Sequence, residues 1–74
     1  MSNLNTKVRN QDSVYAAISQ WYESHTYGPT YRDISKISTL SLGTVYTVCQ
    51  ELRTEGSITF EDGAARTIRI TKGK

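Results

Sequence analysis

Between positions 41 and 50 the chain places Ser41, Thr44, Tyr46, Thr47 and Gln50 with no charged residue among them. Val45, Val48, Cys49 and Leu52 recur at i, i+3, i+4 and i+7, the apolar stripe of an amphipathic helix. The polar set therefore falls on the other faces of that helix, with Gly43 beside it. Hydroxyls, one amide and threonine methyl groups do not make a nucleophile–base pair. They suit hydrogen bonding and methyl contact at base edges in a DNA major groove, which is wide enough to admit one helix. Gln50 can pair with an adenine edge. An acidic face would be repelled by the phosphates, and this face carries no acid.

Catalytic chemistry has little material. The 74 residues contain one cysteine, Cys49, and one histidine, His25, so an internal disulfide and a multi-cysteine zinc site are excluded. No glycine-rich phosphate loop, metal-ligand cluster or nucleophile–base pair occurs. The expectation is a non-enzymatic binding module with no catalytic residue, cofactor or metal. His25 reads as a dipole partner at a helix C-terminus or a surface residue. Cys49 reads as a small core hydrophobe, with redox sensing a minor alternative. Trp21, Tyr15 and Tyr22 read as core, while Tyr27 and Tyr31, flanking Gly28-Pro29, offer a partner-binding patch.

Hydrophobic residues at 36% and charged residues at 22% fit a globular domain and are too apolar for a disordered tail. No apolar run approaches the roughly 18 residues of a membrane span, and the first ten residues lack a signal peptide's apolar stretch. The expected location is the cytoplasm, nucleoid-associated in a bacterium or the host cytoplasm for a phage protein. The net charge of +2 collects at the ends: Lys7 and Arg9 precede the first acid, and Arg66, Arg69, Lys72 and Lys74 close the chain without one. This asymmetry permits nucleic-acid contact without requiring it.

Three helices and a hairpin must position these groups. Val14, Tyr15, Ile18, Trp21 and Tyr22 mark a first helix over residues 11 to about 24, capped by Asn10 or Asp12. Gly28-Pro29 stops it. Thr30-Tyr31-Arg32-Asp33 has the form of a capping box and opens a short second helix ending near Ser38, with Ile34 and Ile37 as its apolar face. Ser41 caps the third helix, residues 42–55, and Gly56 ends it. Beyond Gly56 the period changes to two. Residues 57–60 and 67–71 alternate as half-buried strands, with Asp62-Gly63 as the turn signal. Ile58, Phe60, Ile68 and Ile70 should cover the helices. The fold class is α+β, a winged helix-turn-helix: residues 1–9 form a flexible N-terminal arm, 10–71 the domain and 72–74 a basic tail.

Several of these residues resemble the DNA-binding domain of the LexA repressor family. Val14-Tyr15, Ile18, Gly28-Pro29-Thr30 and Ile34 fall at that family's spacing. Gly56, Ile58 and the run Gly63-Ala64-Ala65-Arg66-Thr67-Ile68-Arg69-Ile70 look like its strand-turn-strand segment. The resemblance covers roughly residues 10 to 71. It implies binding of duplex DNA through the third helix with support from the wing, and sequence-specific repression as a dimer on paired half-sites. Carried over by position, the base-reading residues fall on Ser41, Gly43, Thr44, Tyr46 and Thr47, to which the helical pattern adds Gln50. Gly43 brings no side chain, and Tyr46 and Thr47 stand where the family has acids, so a different operator is expected. The turn before the third helix is one residue shorter, and Ser38 and Thr39 replace an apolar residue and a glycine. No autocleavage segment or Ser/Lys protease domain is recognised, so self-cleavage is not expected within these residues.

Phosphate contacts are expected from Thr30 at a helix N-terminus, from Tyr31 and Arg32 beside it, and from Arg53, Arg66 and Arg69. Edge-strand charge against aggregation is the alternative role for Arg66 and Arg69. The expected partner is double-stranded DNA, bound by a phage or plasmid type of repressor as a homodimer on paired half-sites. One alternative is a winged-helix interaction module that binds a host protein such as a polymerase or a repressor. Another is an excisionase-like architectural factor that bends DNA.

Overall fold

The computed structural model describes residues 3–71. Its elements are α1 (Asn3–Ser24), α2 (Tyr31–Ser38), α3 (Leu42–Glu55), β1 (Ile58–Thr59) and β2 (Arg69–Ile70). The two strands pair antiparallel, with Ile58 opposite Ile70 and Thr59 opposite Arg69. Three helices with a β-hairpin behind the third constitute a winged helix-turn-helix.

The boundaries of α2 and α3 follow from local bonds. The Thr30 hydroxyl accepts from the Asp33 N–H at 3.1 Å, and the Thr30 N–H donates to Asp33 Oδ2 at 3.0 Å, so the capping box is complete. Ser41 Oγ accepts from the Thr44 N–H at 3.3 Å and caps α3. Gly56 ends α3 in the left-handed region (φ 86°), where a side chain would be strained. Thr39 ends α2 in the same region (φ 64°) without that freedom. It stands where such turns usually carry a glycine, and it adopts the left-handed conformation as a β-branched residue.

Two boundaries differ from expectation. α1 begins at Asn3 rather than at residue 11, so the segment expected as a flexible arm is helical from Asn3 onward. Residues 3–11 contain no glycine or proline, and an established helix extends at little cost through such a stretch. The strands are two residues each, shorter than the alternation predicts. Residues 60–68 form a loop with left-handed Gly63 (φ 77°) and Arg66 (φ 63°). Within it the Thr67 hydroxyl accepts from the Glu61 N–H at 2.9 Å, a side-chain bond where a ladder bond would otherwise form. The expected basic tail, 72–74, lies outside the described residues.

The core comprises Val14, Ala17 and Ile18 of α1, Ile34 of α2, and Val45, Val48, Cys49 and Leu52 of α3, closed by Ile58, Phe60 and Ile68. Tyr15, Tyr22, Ile37 and Ile70 pack half-buried against it. Trp21, expected in the core, is only half-buried. Its ring stacks on His25 (3.6 Å between centroids, 7° between planes) and meets Tyr27 edge-on at 5.7 Å. The indole N–H donates to the Tyr27 carbonyl at 2.6 Å, so the polar end of Trp21 faces the loop after α1 rather than the interior. His25 bonds through Nδ1 to the Trp21 carbonyl at 3.0 Å, satisfying an acceptor near the C-terminus of α1.

Gly28 and Tyr22 fasten the wing. The Tyr22 hydroxyl donates to the Ile68 carbonyl at 2.6 Å. A Cβ on Gly28 would lie 2.6 Å from the Arg66 carbonyl oxygen, so only glycine lets the wing backbone come this close.

Candidate nucleic-acid interface

α3 buries Val45, Val48, Cys49 and Leu52 and turns its other faces outward. Ser41, Gly43, Tyr46 and Thr47 are exposed, and Thr44 and Gln50 are half-exposed. At 100° per residue, Gly43, Thr47, Gln50 and Thr54 form the outermost line of the helix. Leu42 and Tyr46 occupy the edge toward α2 and the wing, and Thr44 and Glu51 the edge toward α1. The structure thus brings the six expected base-reading positions onto one surface.

Their freedom differs. Ser41 is engaged as the cap and also donates from Oγ to Thr44 Oγ1 at 2.9 Å. Tyr46 is exposed at 51% and meets the Tyr31 ring edge-on at 5.3 Å, and Tyr31 meets Phe60 the same way at 6.1 Å. Burial, together with nearby Cys49, Tyr46 and Asp62, pushes the Tyr31 hydroxyl above its ordinary pKa, so it remains a neutral donor. Gln50 Oε1 accepts from Arg53 Nη2 at 3.0 Å, leaving the amide nitrogen to face outward contacts. A Cβ on Gly43 would meet nothing within 4 Å, so the backbone there lies open to close approach.

The expected phosphate-contacting residues divide into two groups. Arg53 is held inward: Nη1 donates to the Phe60 carbonyl at 3.1 Å and to Asp62 Oδ1 at 3.2 Å, and the guanidinium lies 4.1 Å from the Phe60 ring centroid. Arg66 is likewise engaged, donating to the Gly28 carbonyl at 3.0 Å and pairing with Asp33 at 3.4 Å, with its guanidinium 5.0 Å from the Tyr27 ring. These two arginines fix the wing against α3 and against the start of α2. Arg32 and Arg69 are exposed. Arg32 shares a groove with Tyr31 and Leu42, beside the start of α3. Arg69 borders a hollow with Tyr22 on the α1 side of the hairpin, away from α3.

Thr30 stands at the α2 N-terminus, but the Asp33 carboxylate already occupies its N–H. Partial burial disfavours the Asp33 charge, yet hydrogen bonds from Thr30 and the Arg66 guanidinium outweigh it and hold the carboxyl below its usual range. An incoming phosphate would meet this fixed negative charge, partly neutralised by Arg66.

Sequence reasoning missed two residues at this surface. Lys7 sits on the helical extension of α1 and lines a groove of about 710 Å³ with Asn10, Thr44, Thr47 and Glu51. The unbroken run from residue 3 to 11 is the signal that would have placed it. Leu42, which the periodicity gave as the first residue of α3, is 46% exposed. Lys7 and Arg32 therefore flank α3 on opposite sides. The α1 edge also carries acid: Gln11 Nε2 donates to Glu51 at 3.1 Å and to Glu55 at 3.2 Å.

Cys49 is free and buried, and burial pushes its thiol up to about 12, which makes it a packed hydrophobe rather than a nucleophile. Among the described residues no group of three or more His, Cys, Asp or Glu side chains is placed to hold a metal ion. None of their helices is long and apolar enough to cross a membrane. Compared with protein-family models, curated proteins and solved structures, the chain matches none of them. Its topology is that of a generic winged helix-turn-helix.

Proposed function

We propose that the chain is a sequence-specific regulator that binds double-stranded DNA, laying α3 in the major groove and acting as a repressor in the manner the LexA resemblance implies. The observation that carries this reading is the outward surface of α3. From Ser41 to Gln50 it is free of charged side chains, it is flanked by Lys7 on one side and Arg32 on the other, and it is open at Gly43. A helix in the major groove meets base edges along its centre and phosphates along its flanks, the distribution of chemistry found here. Ser41, Thr44, Tyr46, Thr47 and Gln50 read bases. Arg32 and Lys7 neutralise phosphates, with Thr30 and Tyr31 beside Arg32. Arg53 and Arg66 act by holding the wing in place, and Arg69 reaches the backbone only where the duplex extends past the hairpin.

One recognition helix reads few base pairs, so two copies on paired half-sites are the expected active form. The Glu51–Gln11–Glu55 edge favours a second reading, in which a basic surface of a host protein docks beside α3. Retardation of short duplexes at low salt separates the two. On the first reading Thr47→Ala weakens binding to the preferred sequence by about 1–3 kcal/mol and spares non-specific DNA, while Arg32→Ala weakens all sequences and lowers the salt slope by about 1. No retarded duplex, together with a stable protein complex in pull-down, overturns the first reading in favour of the second.

A further inference from the structure

The commonest way for a helix to specify a base is an arginine or lysine bound bidentately to guanine. α3 has no free group for this. Its one cation is Arg53, and that guanidinium is tied to the Phe60 carbonyl, Asp62 and Gln50 at 3.0–3.2 Å and stacked over Phe60. The same bond restrains Gln50, the one amide of the surface. At its leading end α3 also presents a large share of exposed carbon: Leu42 at 46% exposure, the Tyr46 ring at 51%, and the methyl group of exposed Thr47. Leu42 and Tyr46 are one turn apart and so lie side by side. Tyr46 is braced edge-on by Tyr31, which is braced in turn by Phe60, so the ring is held outward rather than free to fold back. Gly43, between Leu42 and Thr47 on the helix surface, lets the backbone approach without obstruction.

We infer that this surface specifies thymine, with Leu42, Tyr46 and Thr47 packing on C5-methyl groups in the major groove. The inference rests on the proposed reading of α3 as the base-contacting helix. The thymine methyl is the one apolar group a base pair exposes in that groove, and threonine methyls and aromatic rings are established partners for it. The neutral span from Ser41 to Gln50, flanked by Arg32 and Lys7, keeps the phosphates at the sides and the carbon surface over the bases. Leu42 and Tyr46 are thereby specificity residues, although neither needs to make a base hydrogen bond.

The test uses the intact chain and a duplex bearing its preferred site, selected from a random library. Replacing each thymine of that site by deoxyuridine removes the methyl and keeps the Watson–Crick pairing. Binding should weaken about threefold to fivefold for each contacted methyl, the effect of exposing roughly one CH₂ equivalent. Leu42→Ala and Tyr46→Ala alter exposed side chains, so folding is retained, as circular dichroism will verify. Each should abolish the difference between thymine and deoxyuridine at one position. Equal affinity for the thymine and deoxyuridine duplexes overturns the inference and leaves the DNA-binding reading intact, as does a dominant loss when guanines are replaced by 7-deazaguanine. Failure of the library to enrich any site removes the reading and the inference together.

Discussion

Gly28→Ala distinguishes a contact from a turn preference. Gly28 lies before Pro29, where sequence alone assigns it to stopping α1, and in that role alanine would serve nearly as well. Its backbone φ is not in the left-handed region, so alanine meets no left-handed strain there. The penalty comes from space. The new Cβ would lie 2.6 Å from the Arg66 carbonyl oxygen, 3.0 Å from the Arg66 carbonyl carbon and 3.0 Å from the Tyr22 hydroxyl. Two of these atoms are wing backbone and the third anchors the wing through Ile68, so none is a flexible side-chain end that can swing aside. Overpacking of this kind costs about 1–3 kcal/mol, and the reduced freedom of the unfolded chain returns about 0.4–1 kcal/mol. A net loss of about 1–2 kcal/mol is expected in urea unfolding. In a domain of this size it corresponds to a fall in Tm of roughly 4–16 °C. Unchanged or increased stability would refute the wing position relative to the start of α2.

The opposite sign is expected at Thr39→Gly. The left-handed backbone there costs a β-branched residue about 1–2 kcal/mol, and glycine's extra chain entropy returns part of it, for a net gain of about 0.5–1 kcal/mol in thermal or urea unfolding. A loss would show that the turn is not left-handed. Cys49 should resist Ellman's reagent in the native protein near about pH 8 and react as one thiol after unfolding, because burial raises its pKa to about 12. Prompt reaction of the native protein would contradict its burial. Asp33 has a depressed folded pKa, so its contribution is fully present above the unfolded value of about 3.9 and is lost as pH falls through the lower folded value. Asp33→Asn should cost about 1 kcal/mol near neutral pH and flatten stability across that acid window, a change followed by urea unfolding at several pH values. An unchanged acid limb would show that the carboxylate is not ionised against Thr30 and Arg66.

Where side chains bond to nearby backbone, the sequence was sufficient. Thr30 with Asp33, Ser41 with Thr44, and Gly56 set the ends of α2 and α3 within a few residues of themselves, so spacing alone locates them. Trp21 sits on the same helical stripe as Val14 and Ile18, but its indole N–H finds a carbonyl in the following loop, and periodicity does not register that bond. The start of α1 was illegible for a different reason: helical continuation through residues 3–11 needs no special residue, only the absence of a breaker.

The candidate site was legible as a surface and not as a set of partners. The helical pattern separates Thr47 and Gln50 from Val48 and Leu52. It does not reveal that Arg53 reaches across to Phe60 and Asp62, or that Arg66 reaches back to Gly28 and Asp33, separations of 38 and 33 positions in the chain. Such pairs form only after the hairpin folds onto the helices. They engage two arginines expected on phosphates, Arg53 and Arg66, in bonds that hold the wing, while Lys7 and Arg32 border α3 on its two sides.

Selection of binding sites from a random duplex library tests the central claim most directly. α3 as a base-reading helix predicts enrichment of a common motif, arranged as a palindrome with half-sites one helical turn or a multiple of it apart, about 10–10.5 base pairs per turn. Recovery of unrelated sequences with no shared motif would contradict it.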